Sequence, residues 1–210
     1  MGFRTTATLC RSSDGIGRGL TPVFESNIMQ HRDHVNLLRE GVQAQDGVWA
    51  DLGAGSGAFT LALADLIGTT GVIHAVDRDN HALRENERAC RTRFPRTVIK
   101  FHAQDFTEPM PIPTLDGIVM ANSLHFHSAQ LKVLKHILKY LKPGGVFLLV
   151  EYNSDAGNTW VPYPFSFNRW KQLANDAGLV NTRQLATYPS RFLHEIYSAA
   201  SELPAPALNG

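Results

Sequence analysis

A doubly wound α/β sandwich, built on a mostly parallel seven-stranded sheet with one antiparallel strand and helices on both faces, is the fold class this sequence predicts. Three observations lead there. Apolar runs without polar alternation, such as Val146 to Val150, recur along the chain, as expected of strands covered on both faces. Segments of helical period separate them one by one, the rhythm of a parallel sheet. Near the end, two strands meet through the short joint Pro189-Ser190-Arg191, a hairpin length, so one of that pair runs antiparallel.

Each element has a local reason. Ile28, Val35, Leu38 and Val42 fall on one helical face. Gly47 opens the first strand, Val48-Trp49-Ala50, which runs into Asp51-Leu52-Gly53 and a glycine-rich turn. A helix from about Phe59 to Ile67 leads to the second strand, Val72 to Val76, closing on Asp77. Asp79 or Asn80 caps a helix running to about Arg93. The third strand is Val98 to His102 and the fourth Gly117 to Ala121. Ser128 caps a helix with Leu131, Leu134, Leu138 and Leu141 in register, stopped by Lys142-Pro143-Gly144-Gly145. The fifth strand is Val146 to Val150. A loop rich in proline and aromatic residues follows, then a helix from Ser166 to Ala177 ended by Gly178. Strands near Gln184 to Thr187 and His194 to Ala199 complete the sheet.

The chain's 210 residues, 43% of them hydrophobic and 19% charged, are one domain's worth and enough for a core. Residues 1–22, rich in Ser, Thr, Gly and Arg, read as a loosely attached lead-in with no apolar signal region, ahead of a single domain at 23–210. Its first six residues formally fit a myristoylation pattern, with no second anchor nearby. Twenty Lys and Arg against 19 Asp and Glu leave no global field for nucleic acid or anionic lipid, and no apolar run reaches membrane-spanning length. Two cysteines, Cys10 and Cys90, are too few for a disulfide framework or thiolate metal site. No pair among the nine histidines has helical i, i+4 spacing with a carboxylate, so no metal site is expected. These features together point to the cytoplasm.

In open α/β sheets ligands bind at the carboxyl ends of the strands. The first strand ends in Asp51-Leu52-Gly53-Ala54-Gly55-Ser56-Gly57, where glycines permit a sharp turn and close backbone approach, and the next helix offers free N–H groups. The second ends in Asp77, placed to accept from two vicinal ribose hydroxyls. The third ends in Gln104-Asp105-Phe106, a carboxylate for an exocyclic amine and a ring for a purine face. The fourth ends in Ala121-Asn122-Ser123-Leu124-His125. Gly53, Gly55 and Ala58 also satisfy the dinucleotide fingerprint, which keeps an NAD(P)-binding oxidoreductase open as an alternative. Two acids speak for another ligand. Asp51 would repel a pyrophosphate but suits an ammonium and a sulfonium, and Asp105 has no task toward a nicotinamide cofactor.

These residues, with Lys142-Pro143-Gly144-Gly145, resemble the class I S-adenosylmethionine-dependent methyltransferases. The spacing is similar to their type 11 and 25 group over about residues 25 to 155. The resemblance implies a Rossmann-like fold, S-adenosyl-L-methionine as cofactor, and roles for particular residues. Asp51 holds the methionine end, and Gly53, Ala54, Gly55, Ser56 and Gly57 line the close approach. Asp77 takes the ribose hydroxyls, Arg78 packs beside the adenine, Asp105 and Phe106 hold the adenine, and Asn122 lies under the methionyl part. His125 is the candidate general base, since imidazole titrates near neutrality; a wall residue packing on the ligand is its other reading. Glu151 and Tyr152 are further candidates at the same crevice. The loop Trp160 to Phe165 offers apolar walls for a small acceptor or packs as a lid over the core.

No Asp/Asn-Pro-Pro-Tyr follows the fourth strand and no paired catalytic cysteines exist, so a small-molecule acceptor is expected rather than a nucleic acid. A non-catalytic cofactor-binding module is a second alternative, and an RNA methyltransferase a third. The local basic run from Arg84 to Lys100, interspersed with Glu85 and Glu87, reads as a solvated face. Oligomeric state is not legible in the pattern.

Overall fold

The structure is a computed structural model that describes residues 29–43, 45–190 and 192–206. The lead-in, Cys10 and Ile28 lie outside the described residues. The elements follow in the order α1 His31–Arg39, β1 Val48–Leu52, α2 Ala58–Ile67, β2 Val72–Asp77, α3 Asn80–Arg93, β3 Val98–Ala103, β4 Leu115–Ala121, α4 Gln130–Ile137, β5 Leu141–Tyr152, α5 Phe167–Ala177, β6 Val180–Ser190 and β7 His194–Glu202. Short 3-10 turns, Leu124–Phe126 and Leu138–Tyr140, flank α4.

The seven strands form one sheet in the order β3-β2-β1-β4-β5-β7-β6. All pairings from β3 to β5 are parallel, while β7 runs antiparallel to both β5 and β6, so β7 is the one reversed strand. The expected hairpin exists, closing at Ser190 opposite His194. Strand order reverses between β1 and β4, which opens a crevice at their carboxyl ends.

Consecutive residues of a strand point to opposite faces, so the sheet builds two cores. Ile118 and Phe147 join Leu134, Phe165 and Trp170 on the α4–α5 face. Val119 and Leu148 join Leu38, Leu63 and Ile67 on the α1–α2 face. Each fully buried Leu or Ile here contributes about 1.5–3 kcal/mol over exposure. The central strands are buried along nearly their whole length, but β3, at the sheet edge, alternates in burial and leaves Val98 exposed.

The helix after β4 departs from expectation. Ser128 does not cap it; Ala129 occupies that position without a side-chain cap, and the α-helix ends at Ile137 before tightening into the 3-10 turn. Lys142-Pro143-Gly144-Gly145 is not a helix stop but an excursion at the start of β5. Between its pairings of Leu141 with Leu115 and Val146 with Gly117, β5 uses more residues than β4. Gly144 takes a φ of 80° there and donates its N–H to Leu203 O. Other helix signals hold, with the Asp79 carboxylate accepting from the N–H groups of His81 and Ala82 at the start of α3 and Gly178 ending α5, whose N-cap is Ser166.

Candidate active site

Two adjoining cavities open at the carboxyl ends of β1, β2 and β4. One, of about 420 Å³, is lined by Gly53, Gly55, Asp77, Arg78, Asp105, Phe106, Asn122, Ser123, Phe126 and His127. The other, of about 220 Å³, is lined by His34, Asp51, the turn from Gly53 to Gly57, Ala58, Phe59, Ala121 and Asn122. They share Gly53, Gly55 and Asn122, and so make one elongated site with an acid toward each end. A larger, more open groove of about 760 Å³ runs between α4 and α5 and shares no residue with either.

Every cofactor-binding residue expected from the sequence lines one of these cavities, but the glycines do different work. An added Cβ on Gly53 would stand 2.5 Å from Cβ of Ser123, and one on Gly57 would stand 2.4 Å from Oδ1 of Asn86. Those two glycines let neighbouring elements close up. Gly55, at a φ of 50°, has nothing within 4 Å of its added Cβ and is the glycine that faces open space. Gly57 sits in the left-handed region at the N-cap of α2, whose first N–H groups open onto the smaller cavity.

Asp77 is locked to the glycine loop. Its Oδ2 accepts the N–H of Gly55 at 2.7 Å, and its Oδ1 accepts the N–H of Asp79 at 2.8 Å. Asp105 spends one oxygen on a local turn, accepting the N–H and hydroxyl of Thr107 at 2.8 and 2.7 Å. Burial works against its charge, but the Thr107 donors, with Arg78 and His127, outweigh it and hold the carboxyl below its usual range. Phe106 and His127 meet edge to face, with ring centroids 5.3 Å apart.

Asp51 is 1% exposed and heads a buried relay. The Thr60 hydroxyl donates to its Oδ2 at 2.6 Å, Asn86 Nδ2 donates to the Thr60 hydroxyl at 2.8 Å, and the Cys90 thiol donates to Asn86 Oδ1 at 3.2 Å. Burial pushes the Asp51 carboxyl up to about 7 despite the Thr60 hydroxyl, with nearby Asp77 adding to the rise. Burial also pushes the Cys90 thiol up to about 12, so it is an inert packing group rather than a nucleophile. The relay escapes sequence reading because Thr60 and Asn86 sit on separate helices. One signal exists: Asn86 shares the buried face of α3 with Leu83 and Cys90, an unusual place for an amide.

Asn122 adopts a φ of 50°, rare for a residue with a side chain, and its Oδ1 is buried without a hydrogen-bond partner. A buried orphan acceptor between two acids is an invitation to a cationic ligand. An elongated molecule with an ammonium at one end and a nucleoside at the other therefore fits the groups present, with Gly55 leaving room for its middle.

His125 stands apart from these residues. It lines neither cavity and is 2% exposed, with Nδ1 2.7 Å from Oε2 of the fully buried Glu151. Glu151 Oε1 accepts the N–H groups of Leu124 and His125, at 3.1 and 3.2 Å, which fastens the 3-10 turn to the end of β5. With Glu151 as a carboxylate, which only accepts, this contact assigns the donor role to Nδ1 and leaves Nε2 as the nitrogen outside the pair. The ring lies against Phe126, which does line the larger cavity, at 4.2 Å between centroids. The pairing with Glu151 was not legible, because it depends on β4 and β5 being neighbours. The loop after β5 divides: Val161 and Phe165 are core, while Trp160 and Tyr163 are exposed.

Among the described residues no group of three or more His, Cys, Asp or Glu is placed to hold a metal ion, and no helix is long and apolar enough to cross a membrane.

This sheet order and this acid-flanked glycine loop define a methyltransferase-type Rossmann-like domain. The chain belongs to the methyltransferase domain family, whose model matches residues 45–195. It is 27% identical over 130 residues to a demethylmenaquinone methyltransferase of Anoxybacillus flavithermus, a match covering 60% of this chain and 55% of that protein. The chain thus spans about half the length of the curated relatives it matches. Among solved structures it superposes on a SAM-dependent methyltransferase from Aquifex aeolicus with a TM-score of 0.64 at 19% identity, covering 81% of this chain and 89% of that one. It superposes equally well on the 1,6-didemethyltoxoflavin-N1-methyltransferase of Burkholderia thailandensis, with a TM-score of 0.65, 20% identity, and 83% and 78% of the two chains covered. The fold is theirs. The nicotinamide alternative finds no support in these matches.

Proposed function

We propose that this chain transfers a methyl group from S-adenosylmethionine to a small-molecule acceptor, and that His125 is its general base. The observation that supports the reading best is the pair of cavities bounded by Asp51, Asp77 and Asp105, with the unpartnered Oδ1 of Asn122 between them. Asp51 and Asn122 would hold the ammonium end, the turn from Gly53 to Gly57 the middle, Asp77 the ribose, and Arg78, Asp105 and Phe106 the adenine.

When bound, S-adenosylmethionine supplies a methyl group already activated by a sulfonium. The protein's task is then alignment, exclusion of water and removal of one proton from the acceptor. With Glu151 accepting from Nδ1, Nε2 would take the proton of an O–H or N–H acceptor through a bridging water, since the ring itself is buried. Meanwhile the acceptor's lone pair bonds to the methyl carbon and the methyl–sulfur bond breaks to leave S-adenosylhomocysteine. Relatives named for quinone and toxoflavin methylation favour a small acceptor. The near-neutral charge and scarce cysteines support a cytoplasmic setting without nucleic acid.

Calorimetry with S-adenosylhomocysteine, followed by methyl transfer from labelled S-adenosylmethionine to a panel of small hydroxyl and amine acceptors, tests this. Micromolar binding that is lost in Asp77→Ala, with transfer to at least one acceptor, is expected. Absence of binding by the wild-type chain would overturn the reading. Binding that persists with no transfer to any acceptor would leave a cofactor-binding module.

A further inference from the structure

The groove between α4 and α5, of about 760 Å³, is edged with cations. Lys132, Lys135 and Lys139 recur at helical spacing, so they share one face of α4 and its 3-10 extension along about 10 Å of axis. Arg169 adds a guanidinium from α5, and His136 an imidazole. The three lysines and Arg169 are exposed, while Leu131 and Leu173 lie half-buried in the same groove and give it an apolar floor. Between Asp116 and Glu151 the chain carries four lysines and no carboxylate, although as a whole it is near neutral. This arrangement works against the helices that carry it. Like charges one turn apart repel, and Lys132 and Arg169 each occupy the first turn of their helix, where the dipole disfavours a cation. Ala129, at the N-cap of α4, supplies no side chain to the free N–H groups. Charges set against the stability of their own helices mark a surface kept for another task.

We propose that this groove docks an acidic amphipathic helix of a partner protein. Such a helix repeats its carboxylates every three or four residues, the spacing of the lysines, and its apolar face would sit on Leu131 and Leu173. Its carboxylates would meet Lys132, Lys135, Lys139, Arg169 and the first N–H groups of α4, which relieves the repulsion. The cations are strung along the groove rather than gathered at one point, so a single small anion would engage few of them. Among the described residues the lining has no Phe, Tyr or Trp on which a base could stack, which favours a protein helix over single-stranded nucleic acid. Ser128, at the head of the groove, follows His127, which lines the larger cofactor cavity, so the partner would stand beside the candidate active site. This docking does not depend on the methyl-transfer reading.

The test is fluorescence anisotropy on the full chain with a labelled peptide of about 18 residues, patterned with leucine on one helical face and glutamate on the other. Expected is micromolar binding at physiological salt, weakened about tenfold or more in Lys132→Glu/Arg169→Glu. Arg84→Glu/Arg88→Glu, on the exposed face of α3, makes the same change in net charge and should leave affinity within about twofold. Serine in place of the peptide's leucines should weaken binding about fivefold or more. The groove variant puts an acid into each first turn, in α5 three residues after the Ser166 N-cap, so it should melt no lower than the wild type. Loss of binding is then not loss of fold. A peptide that fails to bind, binding that both double variants weaken alike, binding indifferent to the leucines, or tighter binding of an oligouridylate of matched charge would each overturn the proposal.

Discussion

Nδ1 of His125 and Oε2 of Glu151 lie 2.7 Å apart in a region closed to solvent, and the same carboxylate also holds the backbone of the turn that presents the imidazole. Glu151 is therefore a positioning residue: it fixes both the ring and its tautomer. In His125→Ala a fall in kcat of about 100-fold is expected with S-adenosylhomocysteine affinity kept. Glu151→Gln should lower kcat comparably and displace the pH–rate profile, because an amide no longer favours the Nδ1–H form. An unshifted profile would mean that Glu151 serves folding alone.

Asp77 ties the Gly55 N–H to the end of β2 and is placed for the ribose. Asp77→Ala should weaken S-adenosylhomocysteine binding by about 2 kcal/mol or more, since charge-assisted bonds are lost. Calorimetry reads this directly. Asp77→Asn, which keeps an acceptor but not the charge, should fall between.

Asp51 links cofactor affinity to pH. Its carboxyl is raised from 3.8 to about 7 in the free protein, so below pH 7 it is increasingly protonated and neutral. A cationic ammonium prefers the carboxylate, and binding must then expel a proton. S-adenosylhomocysteine affinity is expected to fall by up to about tenfold per pH unit as the pH drops from 7 to 5. In Asp51→Asn the dependence should vanish, leaving a weak, pH-independent Kd.

His74 sets a stability trend with acid. It faces His102 on the neighbouring strand, Nδ1 to Nε2 at 3.0 Å, and its own Nε2 is buried without a partner. Burial first, then His102 and Lys100, lower its pKa from 6.5 to about 4. Between these values the unfolded chain binds more protons than the folded one, so stability declines as the pH falls from about 6.5 to about 4. The urea midpoint should drop over that window, and the drop should be smaller in His74→Leu. An equal drop in the variant would remove His74 as its cause.

The glycine loop offers a contrast. Gly57→Ala forces a Cβ onto Asn86 at a φ of 100° and should destabilise the fold by about 2 kcal/mol or more. Gly55→Ala meets no atom, so its fold cost is about 1–2 kcal/mol for the left-handed backbone alone. It should instead cost cofactor affinity, tenfold or more, because the methyl enters the cavity. Melting curves and calorimetry on the two variants separate the effects.

Local signals were enough for the alternation of strands and helices, the cap at Asp79 or Asn80, the end of α5 at Gly178, and the acids and glycines at the strand ends, because each depends on residues a few positions apart. The same pattern placed Asp51, Asp77, Asp105 and Asn122 around one site, since strand order in such sheets reverses at a predictable point. The helix after β4 was misjudged: Leu138 and Leu141 continue its apolar period but sit in a 3-10 turn and the first residue of β5, where apolar contact is needed whatever the local geometry. What only the tertiary structure decided are the relations across the chain. These are Glu151 behind His125, Asn86 and Thr60 behind Asp51, and Phe192 brought beside Tyr152 by the reversed strand β7. Contacts of that kind are set by strand order and by which helix packs on which face. No spacing along the chain encodes them, because their energy is realised only when distant segments are already in place.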